Sequence, residues 1–93
     1  MYSETEFKKA VAIANEKGLK EIEYLVLDYS NEEIWTLERA KKYFKVVLDP
    51  EDMKEEDETF NTELEACESL SEVAMLYNQR GEDEHATIKT FEI

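Results

Sequence analysis

Apolar side chains recur along this chain at two spacings, which together predict seven elements. Phe7, Ala10, Val11 and Ala14 repeat at helical intervals after a Ser3–Glu6 capping-box pattern, until Gly18 supplies a left-handed stop. A helix from about Glu4 to Lys17 is expected. From Glu21 to Asp28 the residues run Glu-Ile-Glu-Tyr-Leu-Val-Leu-Asp, alternating and then continuously apolar, as in a strand covered on both faces. A second capping-box pattern, Ser30 with Glu33, opens a stretch in which Ile34, Leu37, Ala40 and Phe44 share one helical face and Glu38 stands one turn before Lys42. The run Val46-Val47-Leu48, closed by Asp49-Pro50, reads as a second buried strand.

Strand, helix and strand, with a crossover from Ser30 to Phe44, predict a βαβ unit whose first two strands are parallel. Phe60, Leu64 and Cys67 then keep helical spacing, and a third box, Ser69 with Glu72, restarts a helix bearing Leu70, Val73, Ala74 and Tyr77 before Gly81. His85 to Ile93 reads as a terminal strand. The order is αβαβααβ, an α+β or small α/β fold of about three strands against three or four helices, forming a single domain over 1–93 with an exposed acidic loop at 49–58.

Composition narrows the picture without changing it. An apolar fraction of 42% and an aromatic fraction of 11% exceed what an intrinsically disordered chain carries. Cys67 is the only cysteine, so no intramolecular disulfide forms and the cytosol is the expected compartment. No apolar run exceeds the five residues of Val73 to Tyr77, far short of a membrane span, and charges stand where a signal peptide needs its apolar core.

Charge changes the picture most. Residues 1–48 carry 9 acidic and 8 basic side chains, whereas residues 49–93 carry 15 acidic and 3 basic, so nearly all of the net −13 sits in the second half. Seven carboxylates fall in the ten positions from Asp49 to Glu58, and on a helix from Thr62 onward Glu65, Glu68 and Glu72 would line one face about 5–6 Å apart. Such a row resembles the phosphates of a nucleic acid strand, spaced about 3.4 Å apart. The expected binding surface therefore comprises Asp49, Glu51, Asp52, Glu55, Glu56, Asp57, Glu58, Glu65, Glu68 and Glu72, with Met53, Phe60 and Tyr77 as apolar anchors. Its partner would be a basic nucleic-acid-handling protein, such as a nuclease or a CRISPR or restriction component, and the mechanism would be occlusion. Direct binding to nucleic acid or to an anionic membrane is disfavoured by like charge. In size and charge alone the chain looks like the small acidic inhibitors of phages, plasmids and toxin operons, among them DNA-mimic anti-restriction and anti-CRISPR proteins and nuclease immunity proteins.

Other chemistries have little material. Asp28 and Asp49 would share a sheet edge if the two strands were parallel, a geometry suited to magnesium, but both also suit turns, and no glycine loop supports a phosphate. The 49–58 run fails as a calcium loop because Met53 falls on a ligand position and Lys54 on the required glycine. Cys67 lies on an apolar stripe and His85 is the only histidine, so a nucleophile–base pair is not expected. Lys8, Lys9, Lys17, Lys20, Arg39, Lys41, Lys42 and Lys45 are interleaved with acids and solvate the first half. Trp35, placed on the second helix, is expected in the core. No enzyme activity, metal or cofactor is therefore expected. The alternative is a small interaction or regulatory domain, acidic for solubility only, in which apolar surface around Trp35 or the last strand makes the contact; edge pairing of His85–Ile93 would make it a homodimer.

Overall fold

In the computed structural model, which describes residues 4–93, the chain forms α1 (Glu4–Glu16), β1 (Glu21–Leu27), β2 (Glu32–Ile34), α2 (Leu37–Phe44), α3 (Glu55–Ala66), α4 (Leu70–Gln79) and β3 (Ala86–Glu92). Three strands and four helices make an α+β domain. β1 is central, in the order β2-β1-β3, because it is the strand with apolar side chains on both faces. One face sends Leu25 and Leu27, with Ile34 and Ala86 beside them, into a core shared with Ala40 and Phe44 of α2, Phe60 and Leu64 of α3, and Leu70, Val73 and Ala74 of α4. The opposite face packs Ile22, Tyr24 and Trp35 against Phe7, Ala10, Val11 and Ala14 of α1. Each fully buried leucine or valine here, such as Leu25, Leu64 or Val73, contributes roughly 1.5–3 kcal/mol.

The strand pairings correct the parallel expectation. β1 meets β2 antiparallel, Leu25 opposite Ile34 and Leu27 opposite Glu32, and meets β3 antiparallel from Glu21–Glu92 to Leu27–Ala86. The cause is the turn after β1, where Asn31 adopts φ 54°, a conformation asparagine tolerates better than most residues, and folds the chain back as a hairpin. Ser30 therefore caps no helix. Its N–H donates to Glu84 Oε1 at 2.8 Å, and the helix begins only at Thr36, whose Oγ1 accepts from Arg39 N–H at 3.2 Å. Ile34 still reaches the core, but from a strand.

Val46–Leu48 does not form a sheet strand either. The segment runs out from the end of α2, and Asn61 on α3 takes the place of a neighbouring strand: its Oδ1 accepts from Val46 N–H and its Nδ2 donates to Val46 C=O, both at 2.9 Å. Asp28 and Asp49 consequently share no sheet edge, and no cluster of metal-ligating side chains occurs among the described residues. The 49–58 stretch is a loop only as far as Lys54; Glu55 to Glu58 form the first turn of α3, where carboxylates are favoured by the helix dipole. No helix among the described residues is long and apolar enough to cross a membrane.

The Ser3–Glu6 box falls partly outside the described residues, and Glu6 has a longer-range task. Its buried carboxylate oxygen Oε1 accepts from Trp35 N–H at 2.7 Å and Thr36 N–H at 3.0 Å, fastening α1 to the entry of α2. Trp35 lies at the end of β2 rather than on a helix. It is buried as expected, stacked on Tyr24 with centroids 4.1 Å apart and edge-on to Phe7 at 4.9 Å.

Candidate partner-binding surface

Arg80 organises the acidic end of the molecule. At the C-cap of α4, it donates from one guanidinium nitrogen to Asp57 Oδ1 at 3.1 Å and from Nε to Glu82 Oε1 at 3.3 Å, and its guanidinium lies 4.5 Å from the centre of the Phe60 ring. Burial alone would lower the guanidinium pKa; the hydrogen bonds and charges of Asp57 and Glu82 outweigh it and raise the value. This one cation joins two acidic segments that are separate in sequence, the 49–58 run and the Glu82–Glu84 turn. Seven carboxylates and Lys54 in the first, with three carboxylates and Arg80 in the second, account for −8 of the net −13. Tyr77, packed against Phe44 at 4.5 Å, has its phenol pushed above the ordinary value by burial first and then by the charges of Glu84 and Glu82.

The ten expected site residues divide into four groups. Asp49, Glu51, Asp52, Glu55, Glu56 and Glu58 are exposed at this acidic end, and Asp49 also accepts from Glu51 N–H at 2.9 Å, tightening the turn. Asp57 belongs to the same end but is only 22% exposed and is held by Arg80. Glu65 is exposed further along α3, where its main-chain carbonyl accepts from Lys41 Nζ at 2.6 Å. Glu68 and Glu72 stand apart, because α3 ends at Ala66 and Cys67 takes extended backbone angles (φ −62°, ψ 137°). Glu68 lies between helices, and Glu72 reaches back to accept from Glu68 N–H at 2.6 Å while its own N–H donates to Ser69 Oγ at 3.2 Å. The continuous ridge of Glu65, Glu68 and Glu72 is therefore broken by the Ser69 cap, the stronger of two competing helical signals.

The anchors also differ from expectation. Phe60 is buried beneath Arg80 and Tyr77 is half-buried, which leaves Met53, 50% exposed, in the loop. Val47 joins it. With Val46 clamped by Asn61 and turned into the core, the next side chain must face away, and Val47 is 93% exposed at the start of the carboxylate run. The run's β-branched character signalled an extended segment, but not which residue would be outside. Arg80 and the Glu82–Glu84 turn were equally hidden, since nothing local in the sequence joins Asp57 to a residue 23 positions away.

Comparison with protein-family models, curated proteins and solved structures finds no match for this chain.

Elsewhere, a groove of about 790 Å³ runs between the C-terminal half of α1, the start of β1 and the α3–α4 junction. It is lined by the buried Ala10, Ala14, Ile22 and Trp35 and by the charged Lys17, Lys20, Glu21, Glu23 and Glu68. Cys67 is buried, and its thiol is pushed up by burial and then by Glu72; the Sγ–H donates to Glu63 C=O at 3.4 Å. It is a poor nucleophile in that setting.

Proposed function

We propose that this chain is a non-enzymatic acidic inhibitor, working in the cytosol, that occupies the basic nucleic-acid-binding surface of a partner protein, in the manner of DNA-mimic, anti-restriction, anti-CRISPR or nuclease-inhibitor proteins. The observation that carries the reading is the exposure of Val47, next to the clamped Val46, beside six exposed carboxylates. Solubility alone calls for charge; it gives no reason to hold an aliphatic side chain out of the core on a clamped backbone. A binding surface does, because charges steer the encounter while a few desolvated apolar contacts supply much of the affinity. The carboxylates of Asp49, Glu51, Asp52, Glu55, Glu56 and Glu58 would replace backbone phosphates against Lys and Arg of the target, releasing the counterions that both surfaces hold.

The test uses Glu55→Lys/Glu56→Lys/Glu58→Lys, which spares Asp57 because Arg80 needs it. Immobilised wild-type protein should retain a basic nucleic-acid-binding protein from nuclease-treated lysate of the cells that make it, release it as salt rises, and release it on addition of duplex DNA or RNA. The triple variant, with unchanged circular dichroism, should retain at least about tenfold less. Equal retention by the variant would overturn the reading.

A further inference from the structure

The hydrogen-bond register of β3 leaves one side of that strand available. Asp28 N–H donates to His85 C=O and Ile93 N–H donates to Lys20 C=O, so with the β1–β3 pairing the residues whose main-chain groups point at β1 are His85, Thr87, Lys89, Phe91 and Ile93. Ala86, Ile88, Thr90 and Glu92 turn theirs the other way, towards the sheet edge. At Ala86 that edge is closed: Asn78 on α4 accepts from its N–H and donates to its C=O, both at 2.9 Å. From Ile88 to Glu92 no hydrogen bond from the described residues reaches the outward groups, and β3 is the outermost strand. Of the usual protections of an edge the strand has no proline and no bulge, only the charges of Lys89 and Glu92, and Phe91 and Ile93 are 42% and 46% exposed on it.

We infer that this edge pairs with the same edge of a second copy of the chain, antiparallel, about a two-fold axis at Thr90. In that register Thr90 faces Thr90 and Ile88 faces Glu92, so the outward N–H and C=O of Ile88, Thr90 and Glu92, six main-chain groups of each copy, are satisfied. On the α1 side Lys89 lies opposite Phe91, so the lysine stem covers an exposed ring and its ammonium sits over the ring face. No like charges stand directly opposite each other. Charge also selects the place: His85–Ile93 contains only Lys89 and Glu92 and is formally neutral, in a chain of net −13. Antiparallel pairing keeps the acidic ends apart. Glu84 precedes Thr90 by six residues, roughly 20 Å of extended chain, so the two acidic turns would lie on opposite sides of the axis at roughly 40 Å, several Debye lengths. The result is one six-stranded sheet. This inference does not depend on the proposed function.

The experiment is sedimentation equilibrium of the full chain over roughly a hundredfold range of concentration. The mass should rise from 11.0 kDa towards twice that value. Thr90→Pro removes an N–H that points away from β1, and should weaken association about 100-fold with little change in secondary structure. Thr90→Lys tests the same contact without touching the backbone: Thr90 is paired with Glu23 within the chain, so lysine there should keep or raise the melting temperature while setting two lysines face to face across the axis. Should Thr90→Pro fail to fold, Thr90→Lys decides alone. A monomer at every concentration, or a dimer that neither variant weakens, would overturn the inference.

Discussion

Glu6 shows how a single side chain settles the junction between two elements. Trp35 and Thr36 lie where β2 has ended and α2 has not begun, so their N–H groups are beyond the reach of either regular hydrogen-bond pattern, and the Glu6 carboxylate accepts both. Its negative charge also sits at the N-terminus of α2, where the helix dipole favours it. Glu6→Ala should cost about 2–3 kcal/mol, since it strands buried donors, and Glu6→Gln about 1 kcal/mol, since one carbonyl acceptor remains and only the charge is lost. Urea unfolding followed by the fluorescence of Trp35, the only tryptophan, reads both. A loss below about 0.5 kcal/mol for the alanine variant would mean that water replaces the carboxylate at this junction.

Between elements, side-chain amides do work that main-chain ladders do elsewhere. Asn61 and Asn78, on successive helices, each grip both main-chain groups of one residue outside the helices, Val46 and Ala86. Asn61→Ala should destabilise the fold by about 1–2 kcal/mol, speed exchange of the Val46 amide, and loosen the segment that holds Val47 outward. Hydrogen exchange by NMR is the check; a Val46 amide still protected would show that side-chain packing alone fixes the segment. These clamps also explain what the sequence could not convey. The apolar spacing placed Ile34, Leu37, Ala40, Phe44, Phe60, Leu64 and Val73 correctly on the buried side, because periodicity reports burial. Element type failed at 30–34 because Ser30–Glu33 and Thr36–Arg39 are competing starts, and the turn at Asn31 decided between them. At 46–48 the apolar β-branched run predicts a buried strand, but no strand forms there: Val46 is held by an asparagine 15 residues further on and Val47 is exposed. The acidic run of the candidate site was plain in composition; the Arg80 link and the outward Val47 needed tertiary structure.

At the scale of the whole molecule, a net charge of −13 acts within a body measuring 46 × 25 × 21 Å. Self-repulsion opposes the compact state, and it is concentrated where 49–58 and 82–84 meet around Arg80. Salt acts in two opposing ways: it screens that repulsion, and it weakens the exposed ion pairs such as Lys8–Glu4 and Lys42–Glu38. Exposed pairs of this kind contribute roughly 0–1 kcal/mol each, whereas the excess of carboxylates is uncompensated, so screening should dominate. Raising ionic strength from about 0.01 M to about 0.15 M, which shortens the Debye length from roughly 30 to 8 Å, should therefore raise the melting temperature by a few degrees, measured by differential scanning calorimetry. Glu55→Lys/Glu56→Lys/Glu58→Lys should respond less to added salt, because it removes part of the screened repulsion, whatever its melting temperature at low salt, which also carries the cost of three cations in the first turn of α3. A melting temperature that falls with salt would mean the ion pairs outweigh the repulsion and that the acidic end is already balanced within the chain. The expected direction bears on binding as well, because a basic partner docked at this end would relieve the same repulsion that salt screens, adding to its affinity at low ionic strength and losing that addition as salt takes its place.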